Sequence, residues 1–159
     1  MVEKYHMLKA VIVDDEPKAI QGLTWELSNF SDDIEVVKTF SDEKKAIEYI
    51  NSNSLDCLFL DIEMPTMDGF QLLEKLKKRD FAVVITTAYN EYAIKALKNQ
   101  AIDYLMKPID SDDLEETLNR IKSYHTKTDS SNKFEKILTS FNERFNRRKI
   151  TISTDGKLI

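Results

Sequence analysis

LDCLFLDIEMPTMDGF, residues 55–70, decides how the rest of the chain is read. Cys57-Leu58-Phe59-Leu60 is a short apolar run that ends abruptly in a carboxylate, Asp61. Four apolar residues in a row, with turn formers close on either side, describe a strand buried on both faces. Parallel sheets place their sites at the carboxyl ends of such strands, which makes Asp61 the first functional candidate. The turn segment Met64-Pro65-Thr66-Met67-Asp68-Gly69 follows, and a helical apolar spacing begins at Phe70. Asp68 and Gln71 are spaced as a capping pair for that helix.

Upstream, Leu8 to Val13 forms a first strand that stops at Asp14-Asp15, and Glu16-Pro17 opens a helix whose first turn needs no donor from proline. Ile20, Leu23, Leu27 and Phe30 continue it at helical spacing. Ile34 to Phe40 is a weaker second strand. Ser41 is the expected cap of a second helix, with Ala46, Ile47 and Ile50 as its buried stripe. Downstream, Phe81 to Ile85 is a fourth strand running into Thr86-Thr87, followed by a helix from about Tyr89 or Asn90 to Asn99. Ile102 to Met106 is a fifth strand ending in Lys107-Pro108. Asp110 caps a fifth helix, with Ile109 and Leu114 set as a hydrophobic staple.

Five strands alternating with five helices predict an α/β fold with a parallel sheet covered on both faces. At this size the natural topology is flavodoxin-like, with strand order 2-1-3-4-5 and strands one and three adjacent at the switch point. After Tyr124 the chain turns polar (HTKTDSSN), the composition of a linker. Residues 132–148 then predict an amphipathic C-terminal helix with Phe134, Ile137, Leu138, Phe141 and Phe145 on one stripe. Such a stripe must meet the body of the domain, a partner chain or its own kind. Lys149 to Ile159 alternates apolar and polar residues about Asp155-Gly156, the pattern of a hairpin, and a lone hairpin is not stable by itself. The chain is therefore expected to stop at the start of a further module.

Composition sets the outer limits. The 159 residues, 42% of them hydrophobic, suit one full domain with an appendage, and 3 Gly and 3 Pro exclude a loop-rich chain. No apolar run is long enough to span a bilayer, so no membrane insertion is expected. A single cysteine, Cys57, excludes a disulfide framework and fits a reducing, cytoplasmic setting. Residues 133–159 hold 7 basic against 3 acidic residues, and residues 1–132 hold 16 against 25. An acidic body with a basic tail marks a change of module near residue 130.

In the expected topology Asp14, Asp15, Asp61, Thr87 and Lys107 all fall at one edge of the sheet. Three carboxylates packed together repel one another, so a divalent cation is expected to gather them. Oxygen ligation with room for water suits Mg²⁺, and no His or Cys is placed to suggest zinc. A carboxylate beside a cation, an ammonium and a hydroxyl makes a phosphoryl-accepting site. Asp61 is its nucleophile, Lys107 neutralises charge on the transferring group, and Thr87 donates to one of its oxygens.

VIVDDEP, LDIEMPTMDG, ITTAY and YLMKP, in that order and each at a strand end, resemble the receiver domain of bacterial two-component response regulators over about Leu8 to Tyr124, which implies a receiver domain over 1–124. The resemblance implies that Asp61 accepts phosphate from a sensor histidine kinase. It implies that Asp14 and Asp15 hold Mg²⁺, with Asp15 the more direct ligand, and that the backbone carbonyl of Glu63 completes the metal site. It makes Thr87 and Tyr104 a switch pair and Lys107-Pro108 a cis bond. TTAYNEYAIKAL and AIDYLMKPI are similar to receivers of the LytR/AlgR type. That likeness implies a homodimer through the face of helix four, strand five and helix five. It also implies DNA contact only through a LytTR domain, of which residues 149–159 would be the opening strands; the rest of that domain is missing from this chain. Glu63 and Tyr89 occupy the two positions that tune phosphate lifetime in the family. On this reading the protein is a signalling phosphoacceptor that catalyses only its own phosphoryl transfer and dephosphorylation. Two other readings compete: a Mg²⁺-dependent aspartyl-nucleophile phosphatase of the haloacid dehalogenase type, and a phosphorylation-independent interaction module. The phosphatase family has D-x-D after its first strand, where this chain has adjacent Asp14-Asp15. The intact acid set argues against the interaction module. No phosphate-binding loop follows strand one, which disfavours a flavin site.

Overall fold

In a computed structural model, the chain is described over residues 7–126 together with 137, 139 and 141–145. Five strands form one parallel sheet in the order β2-β1-β3-β4-β5. They are β1 (Leu8–Val13), β2 (Ile34–Phe40), β3 (Cys57–Asp61), β4 (Ala82–Thr87) and β5 (Asp103–Met106). The crossovers carry α1 (Pro17–Leu27), α2 (Glu43–Ser52), α3 (Gly69–Glu74) and α4 (Ala93–Lys98), and α5 (Ser111–Thr126) closes the domain.

The period-2 alternation of the strands divides the interior into two layers. Val11, Val13, Leu58, Leu60, Val83 and Ile85 face α2, α3 and α4. Ala10, Ile12, Cys57, Phe59, Ala82 and Val84 face α1 and α5 through Leu23, Leu27, Leu114, Leu118 and Ile121. Every residue of β3 and β4 is buried, as central strands covered on both faces require, whereas in β2 at the edge only Ile34 is buried.

Caps define where the helices begin. Asp68 and Gln71 form the reciprocal capping box that their spacing predicts, and Asp110 accepts from the amides of Asp112 and Asp113. For α2 the cap is Asp42 rather than Ser41: its carboxylate takes the amides of Lys44 and Lys45, and the helix starts one residue later. The fourth helix starts at Ala93, later than the Tyr89 or Asn90 expected, because the backbone around Tyr89 and Tyr92 is engaged with the Tyr104 hydroxyl. It ends with Gln100 in the left-handed region (φ 67°), where the amides of Gln100 and Ala101 return to the carbonyls of Leu97 and Ala96. The fifth helix runs two residues beyond Tyr124, to Thr126.

Residues 137, 139 and 141–145 are helical, in the middle of the predicted C-terminal helix. Phe141 is buried, and Ile137 and Phe145 pack partly buried against the core. Of the three places open to that stripe, these residues therefore meet the domain itself. Phe134, Leu138 and the hairpin expected over 149–159 lie outside the described residues. Among the described residues no helix is long and apolar enough to cross a membrane.

Candidate functional site

Parallel strands of matched register bring their carboxyl ends level, and the polar residues that end the apolar runs meet there. Val13 pairs with Leu60 and Asp61 with Thr86, so Asp14 and Asp61 stand side by side along the edge, with Thr87 one residue further along β4. Each of Asp14, Asp15 and Asp61 offers a carboxylate oxygen, and these oxygens lie within 4.8 Å of one another. Asp14 and Asp61 are buried and Asp15 is half-exposed. Lys107 reaches in from the end of β5, with Nζ 2.7 Å from Asp14 Oδ2 and 3.6 Å from Asp61 Oδ1. The Lys107 amide donates to the Thr87 carbonyl at 2.8 Å, which fixes the lysine stem against β4. The Lys107–Pro108 peptide is cis, as the motif implies.

The electrostatics follow from this crowding. Burial, then Asp14 and Asp15, push the Asp61 carboxyl up to about 7, against the opposing pull of Lys107 and the Ile62 amide. Burial acts to lower the Lys107 ammonium, but Asp14 and Asp61 outweigh it and hold it above its ordinary value. One ammonium among three carboxylates leaves the cluster negative. Hard oxygen donors in this number and spacing fit Mg²⁺, which takes one or two carboxylates and keeps several waters.

Thr87 is fully buried and its Oγ1 accepts from the Tyr89 amide at 3.3 Å. Tyr104 is fully buried as well. Its hydroxyl donates to the Tyr89 carbonyl at 2.6 Å and accepts from the Tyr92 amide at 3.2 Å, so this ring lies inward under the β4–α4 loop. The side chain of Glu63 turns away from the aspartates: it is exposed and accepts from the Tyr92 hydroxyl at 2.5 Å. That bond pushes the Tyr92 hydroxyl up to about 12.

Two participants escaped the sequence reading. Gly69 sits where a Cβ would fall 2.5 Å from the Asp61 carbonyl oxygen, so only glycine lets α3 start this close to the acceptor strand. Its place in the Met-Asp-Gly turn was the available signal. Tyr92 links the β4–α4 and β3–α3 loops across the mouth of the cleft, a pairing 29 residues apart that local pattern does not reveal. Beside the acids, a cavity of about 270 Å³ opens between α1 and the β5–α5 loop, lined by Asp14, Leu23, Lys107 and Pro108 among others.

Residues 10–119 match the model of the response regulator receiver domain family. The transcriptional regulatory protein BtsR of Salmonella typhi is 42% identical over 127 residues, 79% of this chain and 52% of that protein. The chain thus spans about half the length of the curated relatives it matches. Among solved structures, the response regulatory domain of mrkE from Klebsiella pneumoniae superposes with a TM-score of 0.68 at 29% identity, over 76% of this chain and all of that one. The REC domain of AraT, a response regulator from Geobacillus stearothermophilus, gives 0.64 at 33% identity, over 74% and 95% of the two chains.

Proposed function

The chain belongs to the response regulator receiver family, and from that premise we propose that it is a phosphorylation-operated switch whose acceptor is Asp61. The observation that carries the proposal is a buried carboxylate at the tip of the central strand, with two carboxylates within 4.8 Å and the Lys107 ammonium 3.6 Å away.

In the proposed reaction an Asp61 oxygen attacks the phosphorus of a phosphohistidine on a sensor histidine kinase. A phosphorus–oxygen bond forms as the phosphorus–nitrogen bond breaks, and the departing imidazole takes a proton from solvent. Asp14, Asp15, Asp61 and the Glu63 backbone carbonyl would hold Mg²⁺, which supplies charge neutralisation to the transferring group when bound. Lys107 leaves Asp14 for a phosphoryl oxygen, and Thr87 donates to another. Thr87 moving toward the acyl phosphate and Tyr104 packed inward form the switch, biasing the face of α4, β5 and α5 between two states. Homodimerisation through that face, in the cytoplasm, is the proposed output. DNA would be met by a LytTR-type domain that residues 149–159 begin, after a receiver over 1–124 and a linker and amphipathic helix over 125–148.

The test is intact mass after incubation with acetyl phosphate, with and without Mg²⁺. A single phosphoryl adduct that needs Mg²⁺ and is absent from Asp61→Ala is the expected result. An adduct of equal yield in Asp61→Ala would overturn the assignment. Hydrolysis of generic phosphate monoesters with turnover would favour a phosphatase instead.

A further inference from the structure

The β5–α5 part of the face proposed as the output surface is already in contact with the C-terminal segment. Arg144 is 1% exposed, although it belongs to the basic end of the chain. Its Nη1 donates to Asp103 Oδ1 at 2.6 Å and to the Tyr104 carbonyl at 3.3 Å, on the open edge of the sheet. Its Nη2 donates to Glu116 Oε1 at 2.9 Å, and its Nε lies 3.6 Å from Asp113 Oδ1. Asp103 belongs to β5, and Asp113 and Glu116 to α5. One guanidinium therefore ties the C-terminal segment to two elements of the face.

Apolar contacts lie alongside the ionic ones. The Tyr104 ring has Phe141 at 5.8 Å and Phe145 at 5.6 Å between centroids, and these two rings stand 6.2 Å apart. Phe141 is 2% exposed. Both phenylalanines rest on the ring whose hydroxyl is held by the β4–α4 loop. A Tyr104 swung outward would enter the space they fill.

We propose that Ile137 and residues 141–145 form a tethered ligand of the β5–α5 part of that face, seated by Arg144, Phe141 and Phe145 only while Tyr104 lies inward. The occupant is the chain's own segment because only ten residues, 127–136, separate it from α5 and give it a high effective concentration. Docking and the inward ring are then reciprocally linked, and whatever favours one favours the other by the same factor. The link to the acceptor rests on the phosphorylation reading above; the docking itself does not.

Amide hydrogen exchange on the full chain tests both parts. Amides of 141–145 are expected to exchange at least about tenfold more slowly in the wild type than in Arg144→Ala or Phe141→Ala, with β3 equally protected in all three. Protection should persist on roughly hundredfold dilution, as an intramolecular contact requires. Beryllofluoride with Mg²⁺, a phosphoryl mimic, should slow these amides further. Equal exchange in the wild type and both variants overturns the proposal, and protection lost on dilution overturns it in favour of a second copy. Unchanged 141–145 amides when the mimic protects the cleft overturn the coupling. A mimic that protects nothing in the cleft defeats the phosphorylation reading, while the variant and dilution arms still decide the docking.

Discussion

Two buried carboxylates, Asp61 and Asp103, sit two strands apart in the same sheet and are treated in opposite ways. Asp103 is fully buried and receives hydrogen bonds from the Tyr104 amide, the Thr117 hydroxyl, Arg120 and Arg144. Asp61 has one ammonium at 3.6 Å and two carboxylates as neighbours. Burial costs both groups their hydration, but only Asp103 has that loss made good by the fold. The contrast teaches that a buried charge is structural where its donors fill its lone pairs and reactive where they fall short. Asp61 is the one left with chemistry still to do.

The largest expected effect comes from breaking the satisfied member. Asp103→Ala strips Arg144 and Arg120 of a shared partner, and removing one side of a buried ion pair costs about 3–5 kcal/mol. Urea denaturation should show the unfolding free energy fall by that amount, together with loosening of residues 141–145. A fall of less than ~1 kcal/mol would mean that the network is dispensable. Next is Gly69→Ala, which drives a methyl into the Asp61 backbone carbonyl. About 1–3 kcal/mol of destabilisation is expected, with a lower rate of adduct formation from a displaced acceptor.

The smallest effect runs the other way and sharpens the contrast. In chelator, Asp61→Asn should raise stability by about 1 kcal/mol at pH 8 and leave it unchanged near pH 4. The folded Asp61 carboxyl, at about 7, lies above its unfolded value, so the folded state holds the extra proton. The wild type consequently loses stability as pH rises from about 4 to 7, and the asparagine variant does not. Thermal melts of both proteins across that range give the answer, and Mg²⁺ should narrow the difference. Parallel pH profiles would show that the repulsion in the cleft is already relieved.

Much of the fold and the acid site was legible because each depends on local pattern. Apolar runs of strand length, punctuated by Asp14, Asp61, Thr87 and Lys107, carry strand, edge and site together. The Asp68–Gln71 box is equally local. The misses share the opposite property. Ser41 and Asp42 are adjacent cap formers, and only backbone geometry chose between them. The late start of α4 is set by the Tyr104 hydroxyl, fifteen residues from the Tyr89 carbonyl it meets. Arg144 stands three residues after Phe141 on the buried stripe, and its charge hid it, since its carboxylate partners lie 28 to 41 residues upstream.

Cys57 lies in β3, four residues before Asp61, with no exposed surface, and burial pushes its thiol pKa up. A thiol reagent can meet this sulfur only when the layer of α1 and α5 lifts from the sheet. The chain therefore carries its own clock: the rate of Cys57 labelling, set against that of a free thiol, reads the opening equilibrium of the helical layer that covers the strand bearing the acceptor.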